Sequence, residues 1–498
     1  MSLDALVAAL DAGTTGVRCV LFDGRGMPVV SAYREHRQHY PRPGWVEHDA
    51  GEILESAITV VGQALEQCGG RPVMALGITN QRETAVAWDS TTGEPLCRAI
   101  VWQDRRTTER CEEVRAQGWE PAVRERTGLP LDPYFSATKW EWMLANVPAV
   151  RSAADKGTLR LGTVDSWLAF RLTGRHVTDP TNASRTLLYS LHNAAWDPEL
   201  VALFGLREEW LPEVVPSVSA SGYGVCQVGL FGRPLPLLGC LGDQQSALFG
   251  HRGFSPGATK NTYGTGSFLL MNTGGVPRPS HLGLLTTVAY QLEGEKSTFG
   301  LEGSIFVTGA AIQWLRDGLG LIGSASETEA LANSVPDNGG LYFVPAFAGL
   351  GAPYWDPRAR GAFLGLTGAV TRAHVARAAL EAMAYQTRDV VTAMARETGS
   401  EPAELRVDGG AVDNAFLCQF QSDLLGVPVA RPSCREMTAR GAAFAAGLAC
   451  GFWPDLRALE ALEEERTLFK PSMESSQADD LYGRWQEAVR RCREWVPG

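Results

Sequence analysis

The sequence predicts an α/β protein made of two lobes with a cleft between them, and three observations support this. Apolar segments of strand length alternate with segments of helical periodicity along the 498 residues. A strand, a Gly/Thr turn and a second strand occur together twice, at residues 7–22 and again at 258–271. No long Pro- or Ser-rich linker separates the halves, so we expect lobes 1–250 and 251–498 to touch closely and to hinge.

The first half begins with three predicted strands, Val7–Leu10, Val17–Phe22 and Pro28–Arg34, separated by Gly- and Asp-rich turns. Short apolar segments with such turns are typical of an antiparallel meander. A helix should follow, because Asp49 is a good N-cap residue and apolar residues then recur at helical spacing. Residues 74–79, MALGIT, predict a buried strand.

The second half repeats this scheme. Its strands are predicted at Ala258–Tyr263, Phe268–Met271 and 405–410, and small residues at 441–451 predict a tightly packed helix. An acidic segment near Glu463–Arg466 is interpreted as the solvated face of a helix. The remaining predicted helices are Ser304–Leu315, His374–Met383 and one that begins at Asp413 or Asn414 and ends at Gly426.

Composition excludes several classes of protein. The net charge of -11 argues against a broad nucleic-acid surface, which needs basic residues. No apolar run approaches the roughly 18–20 residues that span a bilayer, and the start has no basic n-region, so we expect no membrane insertion. The ten cysteines form no CxxC pair, which predicts reduced thiols in a cytoplasmic protein.

The first chemical motif is DAGTTGVR at residues 11–18. Gly13 allows the backbone to approach a ligand closely, and the neighbouring amides and hydroxyls can hold phosphate oxygens. Asp11 is then placed to face a magnesium ion, and Arg18 to neutralise phosphate charge. Taken alone, the motif is equally compatible with an ordinary hairpin turn.

A second motif, LGDQQSALFG at residues 241–250, places Asp243 in an apolar setting. A carboxylate there is costly unless it is used or paired, which suggests a general base; a helix N-cap is the alternative. The sequence contains no GxxxxGK[ST] and no GxGxxG after a first strand. A P-loop enzyme and a Rossmann dehydrogenase are therefore disfavoured.

Two Gly-rich segments of the second half are candidates for nucleotide contacts. In YGTGSF (263–268), Thr265 and Gly266 could donate to phosphates, and Phe268 could cover substrate carbons. In VDGGAVDN (407–414), Gly410 and Ala411 would let a flat adenine lie against the backbone. Each segment alone could be an ordinary turn or αβ loop.

Three further segments mix polar and aromatic residues near predicted strand ends: NQRET (80–84), VWQDRR (101–106) and 132–146. A polyol needs this mixture, because Arg and Glu bind hydroxyls while Trp or Tyr covers CH edges. The alternatives are a surface ion pair for Arg82–Glu83 and core positions for Trp102 and Tyr134.

Together these segments resemble the glycerol kinases of the FGGY carbohydrate kinase family, in the family's order, from Val7 to about Lys470. Further glycerol-kinase-like segments are PGWVEHD (43–49), TNASRT (181–186) and FVPAFAGLGAPYWD (343–356). Both FGGY family signatures also fit, one at residues 134–146 and the other at 361–381.

The resemblance implies two actin-like (ribonuclease H-like) lobes, each a mixed sheet flanked by helices, with the active site in the interlobe cleft. It implies ATP-dependent phosphorylation of glycerol to sn-glycerol 3-phosphate, with Asp243 as general base and Mg²⁺ near Asp11 and Asp243. The N-terminal lobe would bind polyol and phosphate, and the C-terminal lobe the nucleotide. The implied polyol contacts are Arg82, Glu83, Trp102, Tyr134, Asp243, Gln244 and Phe268, and the implied nucleotide contacts are Thr14, Thr15, Arg18, Thr265, Gly266, Gly309, Gln313, Gly410, Ala411 and Asn414.

The chain also departs from the family. Its first motif reads DAGTTGVR where most glycerol kinases have DQGTTSSR, which bears on phosphate affinity. Two other functions stay open at this point: an FGGY kinase for another substrate such as xylulose, and a non-catalytic actin-like nucleotide-binding sensor. A homo-oligomer, dimer or tetramer, is expected on the resemblance alone.

Overall fold

The computed structural model describes residues 4–496 and contains two large mixed β-sheets, one built from each half of the chain. Both hairpins predicted from the sequence are present. The strands, numbered in chain order, are β1 (Leu6–Ala12), β2 (Gly16–Phe22), β3 (Pro28–Glu35), β4 (Glu47–His48), β5 (Val73–Asn80), β6 (Val86–Asp89), β7 (Ala99–Ile100), β8 (Leu159–Gly162), β9 (Val177–Thr178), β10 (Tyr189–Ser190), β11 (Ala195–Trp196), β12 (Glu213–Val214), β13 (Val225–Cys226), β14 (Leu235–Gly242), β15 (Thr259–Tyr263), β16 (Ser267–Gly274), β17 (Leu285–Tyr290), β18 (Thr298–Ile305), β19 (Tyr342–Val344), β20 (Ala362–Leu364), β21 (Leu405–Gly409), β22 (Val429–Pro432) and β23 (Arg466–Phe469).

Helices cover the faces of both sheets. Short 3-10 turns at Glu208–Trp210 and Gly410–Asp413 supplement them. The α-helices are α1 (Ala50–Gln67), α2 (Thr108–Ala116), α3 (Glu120–Thr127), α4 (Ala137–Asn146), α5 (Pro148–Asp155), α6 (Val164–Thr173), α7 (Pro180–Ala183), α8 (Pro198–Leu203), α9 (Val228–Phe231), α10 (Asp243–Gly250), α11 (Gly309–Asp317), α12 (Glu327–Asn333), α13 (Arg372–Thr398), α14 (Ala415–Leu425), α15 (Met437–Ala449), α16 (Leu456–Glu460) and α17 (Ser475–Cys492).

The two sheets repeat one topology. The first has the order β13-β14-β5-β1-β2-β3, and the second has the order β17-β18-β16-β15-β21-β22-β23. In the first, β3, β2 and β1 are antiparallel neighbours, and β5 and β14 continue parallel to β1. In the second, β18, β16, β15, β21 and β22 repeat that order and those directions. This repeat confirms the predicted two-lobed α/β architecture.

Local sequence explains most element boundaries. Asp49 caps α1, accepting hydrogen bonds from the backbone N–H groups of Gly51 (2.8 Å) and Glu52 (3.2 Å). Asn414 caps α14 by accepting from the N–H of Leu417 at 3.0 Å, and Gly426 ends that helix with a φ of 71°. Both helices begin where the sequence predicts.

Two predicted helices have different bounds, and one prediction is wrong. Ser304 belongs to β18, where it pairs with Phe268 of β16, so the helix starts only at Gly309. The helix predicted at 374–383 is α13, which runs over 27 residues. Residues 463–466 are not a helix face, because Arg466 begins β23 and Glu464 pairs with Arg252 and Arg440.

Helix α15 belongs to the second half but packs on the first sheet, beside α10. Glycines allow this close approach: a Cβ on Gly77 of β5 would lie 2.0 Å from the carbonyl oxygen of Ala442, and one on Gly441 would lie 1.8 Å from that of Ser246. Helix α1 packs against the opposite face of the same sheet. The small residues predicted at 441–451 therefore serve helix–sheet contact.

Other expectations concern cysteines and membranes. All ten cysteines are free thiols, as the sequence predicts. Within residues 4–496, no helix combines the length and the apolar character that crossing a membrane requires.

Candidate active site

The candidate site lies at the carboxyl ends of β1, β5 and β14, three neighbouring parallel strands of the first sheet. Asp11 stands near the end of β1, Arg82 and Glu83 follow β5, and Asp243 follows β14 as the first residue of α10. Because parallel strands end at one edge of the sheet, residues from distant parts of the sequence meet there.

Arg82 is the centre of the charge arrangement and is 3% exposed. Its Nε lies 3.1 Å from Oδ1 of Asp243, and its Nη2 donates to the hydroxyl of Tyr134 at 3.4 Å. Its guanidinium also binds Glu302 of β18, in the second sheet. The interpretation of Arg82–Glu83 as a surface ion pair is therefore wrong, since both residues are buried.

Arg185 completes a buried network of two arginines and two glutamates. Its Nε lies 2.6 Å from Oε1 of Glu83, and its Nη2 lies 3.0 Å from Oε1 of Glu302. Burial alone would raise the pKa of the Glu302 carboxyl, but Arg185 and Arg82 outweigh burial and lower it to about 2. The network is formally neutral, so burying it costs less free energy than burying unpaired charges would. Its ion pairs fix the direction of each side chain.

Glu83 has a φ of 59°, in the left-handed region that favours glycine. Backbone strain of this kind persists only where surrounding contacts hold it. Here the ion pair with Arg185 and the buried position of the side chain supply those contacts. Glu83, the strained residue, is also one of the polyol contacts that the sequence analysis predicts.

Aromatic rings form the other wall of this pocket. The Trp102 ring lies 5.7 Å from that of Tyr134 and 6.2 Å from that of Phe268, edge to face in both pairs. The indole N–H of Trp102 donates to Oγ1 of Thr14 at 3.0 Å. Trp102 thus contacts Thr14 in the first hairpin turn and Phe268, near the start of the strand that follows the second hairpin turn. These contacts bring the two turns to one cleft.

Asp11 and Asp243 provide two carboxylates on the cleft side of the pocket. Burial, together with the charges of Asp243 and Glu436, raises the pKa of Asp11 to about 7, although Arg18 acts in the opposite direction. Carboxylate oxygens are the ligands that Mg²⁺ prefers, and a cation would relieve this repulsion. The residues present therefore fit a divalent cation.

Arg18 lies opposite Asp11 on β2. Its guanidinium pairs with Glu436 and lies 5.1 Å from the centre of the Tyr33 ring. The side chain is thus already held beside the first hairpin turn, with about a third of it exposed.

A separate cavity of about 480 Å³ opens in the second lobe. One of its walls is the second hairpin turn, which Gly309 approaches so closely that a Cβ would lie 2.5 Å from the carbonyl oxygen of Gly264. Of the predicted nucleotide contacts, those lining this cavity are Thr265, Gly309, Gln313, Gly410, Ala411 and Asn414. Gly266 shares the turn with Thr265, whereas Thr14, Thr15 and Arg18 surround the first hairpin turn.

A hydrogen bond connects α10 with this second-lobe region. His251 follows α10, and its Nε2 lies 2.6 Å from Oδ2 of Asp408, on the strand that leads into Gly410. The helix that begins with Asp243 is thereby attached to the strand carrying the cavity loop.

Sequence reasoning missed three buried groups: Arg185, Glu302 and Lys260. Arg185 lies within TNASRT, a segment singled out only for its resemblance. Glu302 lies 220 residues from Arg82, and no local pattern indicates that they meet. Glu302 and Lys260 are charged residues inside segments that otherwise have the pattern of a buried strand. This contrast was the available signal for both.

Comparison with known protein families divides the chain into the same two halves as the two sheets do. The N-terminal domain of the FGGY family of carbohydrate kinases matches residues 6–250, and the C-terminal domain of that family matches residues 259–450. Glycerol kinase 2 of Thermotoga maritima is 53% identical over 493 residues, covering 98% of this chain and 99% of that protein. The glycerol kinase of Dechloromonas aromatica is 53% identical over 497 residues, covering 99% and 98%.

Solved structures agree in fold. Plasmodium falciparum glycerol kinase with ADP superposes with a TM-score of 0.92 at 34% identity, covering 98% of both chains. The xylulose kinase of Lactobacillus acidophilus superposes with a TM-score of 0.87 at 22% identity, also covering 98% of both chains, and shares the fold.

Proposed function

The chain belongs to the FGGY family of carbohydrate kinases, and we propose that it transfers the γ-phosphoryl group of ATP to glycerol, giving sn-glycerol 3-phosphate. The observation that carries this proposal is the compact pocket of Arg82, Glu83, Tyr134 and Asp243, separate from a cavity large enough for a nucleoside. The two relatives described above are glycerol kinases, and the similarity to each of them extends over nearly the whole chain.

The acceptor pocket suits a three-carbon polyol. Arg82 and Glu83 are held by buried partners, so their side chains are fixed before the acceptor binds and need no reorganisation. Trp102 and Phe268 provide apolar ring surface for the CH groups. Gln244, next to Asp243, supplies a further polar contact.

ATP occupies the second-lobe cavity. Gly410 and Ala411 leave room for the flat base, and Gln313 and Asn414 line the same space. The phosphates extend toward the hairpin turns, where Thr265 and Gly266 from one lobe and Thr14, Thr15 and Arg18 from the other provide donors.

Asp243 acts as the general base. It accepts the proton of a terminal hydroxyl while that oxygen attacks the γ-phosphorus in line with the leaving phosphate oxygen. Arg82, 3.1 Å away, orients the carboxylate. Asp11 and Asp243 would hold Mg²⁺, which when bound neutralises charge on the phosphate oxygens. Positioning and electrostatics supply most of the acceleration in such transfers.

The direct test is an assay of ADP release with MgATP, comparing glycerol with xylulose, gluconate, erythritol and dihydroxyacetone. Strong preference for glycerol supports the proposal. Preference for a larger sugar would retain the fold and the base but reject the pocket assignment. ATP binding without turnover of any acceptor would indicate a nucleotide-binding sensor.

Replacing the base gives the first prediction. Asp243→Asn should lower kcat by roughly 10²–10⁴-fold, the usual contribution of a general base, with the thermal midpoint nearly unchanged. Single-turnover measurements with glycerol check this, and Asp155→Asn, at an exposed position at the end of α5, is the matched control. Near wild-type turnover in the Asp243 variant would contradict the assignment.

A cytoplasmic location and a homo-oligomeric state are also part of the proposal. Ten free thiols support a reducing compartment. Light scattering coupled to gel filtration measures the oligomeric state directly.

A further inference from the structure

Lys260 of β15 is a buried cation directly behind the acceptor pocket, and it is 0% exposed. Its ammonium group donates to three oxygens: Oε1 of Gln244, Oγ1 of Thr262 at 2.9 Å and the backbone carbonyl of Phe268 at 3.2 Å. All three acceptors are neutral. Among the described residues, no carboxylate forms an ion pair with this lysine.

Such an arrangement is costly, because an ammonium group loses its hydration on burial and forms no ion pair in return. Burial lowers the pKa of Lys260 to about 8, while Asp408, Asp243 and Glu302 act against that shift. Lys260 therefore still carries its charge at neutral pH. Because burying this charge costs free energy, we expect Lys260 to have a role in holding the side chains next to it.

The neighbour of Lys260 that lies next to the proposed base is Gln244. An ammonium group can only donate, so the Gln244 atom facing it must be the amide oxygen. The amide nitrogen, Nε2, then points away from Lys260 and has no hydrogen-bond partner within residues 4–496. Gln244 follows Asp243 directly, and its backbone N–H donates to Oδ1 of Asp243 at 2.7 Å.

We propose that Lys260 is a positioning residue that fixes the Gln244 amide, so that its nitrogen donates to a hydroxyl oxygen of the acceptor substrate. The inference rests on the proposed function, since it assigns Gln244 to the polyol pocket. Lys260 itself touches neither substrate nor phosphate.

The test is a double-mutant cycle on steady-state constants with glycerol and MgATP. Lys260→Met should raise the KM for glycerol roughly tenfold, as expected for losing a hydrogen bond to a charged group, with the KM for ATP unchanged. Gln244→Ala should have a similar effect. In the Gln244→Ala background, Lys260→Met should change the KM for glycerol no further. Lys296→Met, at an exposed position, is the matched control.

Gln244→Glu tests the direction of the hydrogen bond without altering the lysine. The carboxylate keeps an acceptor for Lys260 but has no N–H, so the KM for glycerol should rise as in Gln244→Ala. An unchanged KM in this variant, or independent effects of the two single substitutions, would overturn the positioning role. If the wild-type enzyme itself did not phosphorylate glycerol, the proposed function would fail first.

Discussion

At the residue scale, the acceptor pocket depends on charged groups that water does not reach. Arg82, Arg185, Glu83 and Glu302 form one neutral network, and removing a single member would leave an uncompensated buried charge. Such groups need no reorganisation when substrate arrives, which is the condition for electrostatic catalysis.

Lys139 of α4 supports the pocket from another side. Its ammonium group donates to the backbone carbonyls of Tyr134 and Phe135, the latter at 3.0 Å, and lies 3.5 Å from that of Glu83. Burial lowers the pKa of Lys139 to about 7, although nearby Glu and Asp residues oppose this. Like Lys260, it holds pocket residues through neutral acceptors.

This lysine gives a prediction about pH. An unfolded lysine keeps its proton up to about pH 10.4, so between pH 7 and pH 10 the unfolded state binds more protons and stability rises with pH. Lys139→Met removes this dependence. The free energy of unfolding of the variant minus that of wild type should therefore fall as pH rises, by up to about 1.4 kcal/mol per unit. Urea unfolding at pH 7 and pH 10 measures it; a difference independent of pH would contradict it.

Ala411 gives a prediction about the nucleotide. Ala411→Phe places a ring in the second-lobe cavity, which should raise the KM for ATP by roughly tenfold or more, about 1.4 kcal/mol. The KM for glycerol should not change, because the acceptor pocket lies elsewhere. Equal effects on both constants would show that the cavity is not specific to the nucleotide.

Sequence reasoning identified the pocket residues that lie in recognisable motifs, such as Arg82, Tyr134 and Asp243. It could not find Glu302, because its partners come from another lobe, and sequence spacing carries no information about a contact between sheets. Lys260 was missed for the same reason, since Gln244, its main partner, lies on a different element.

At the element scale, strands were easier to predict than helix ends. The strands β1, β2 and β5 are short apolar segments bounded by Gly, Asp or Asn, and their limits agree with prediction to within two residues. The start of α11 was misplaced because a short segment with apolar residues, such as 304–307, suits a strand as well as a helix. The pairing of Ser304 and Ile305 with β16 decides for strand.

The crossing of α10 and α15 gives an element-scale prediction. Gly441→Ala would place a Cβ 1.8 Å from the carbonyl oxygen of Ser246, so the helices must separate. We expect a loss of stability of about 1–3 kcal/mol and a lower kcat, because α10 begins with Asp243.

Gly62→Ala in α1 is the matched control. A Cβ there meets no atom within 4 Å, and alanine favours a helix, so stability should rise by about 0.5–1 kcal/mol. Chemical unfolding of both variants measures the contrast; similar changes in both would contradict the packing argument.

At the scale of the whole molecule, the two sheets are similar but not independent. Ala442 and Phe444 of α15, from the second half, cover one face of the first sheet. Glu302 of the second sheet binds Arg82 and Arg185 of the first lobe. Any hinge motion of the lobes is therefore expected to preserve these shared contacts.

Shared contacts predict cooperative unfolding. Differential scanning calorimetry of the unliganded protein should show one transition, because neither sheet keeps its full core when the other half unfolds. Gly441→Ala should shift this transition as a whole. Two resolved transitions, one for each lobe, would contradict the prediction.

The position of α15 also affects how the chain folds during synthesis. The last long strand of the first sheet ends at Gly242, but the helix that covers this face begins only at Met437, about 195 residues later. At roughly 5–20 residues per second, the nascent chain presents an uncovered apolar sheet for about 10–40 s. We therefore expect folding in the cell to be most prone to aggregation in this interval, before the chain is nearly complete.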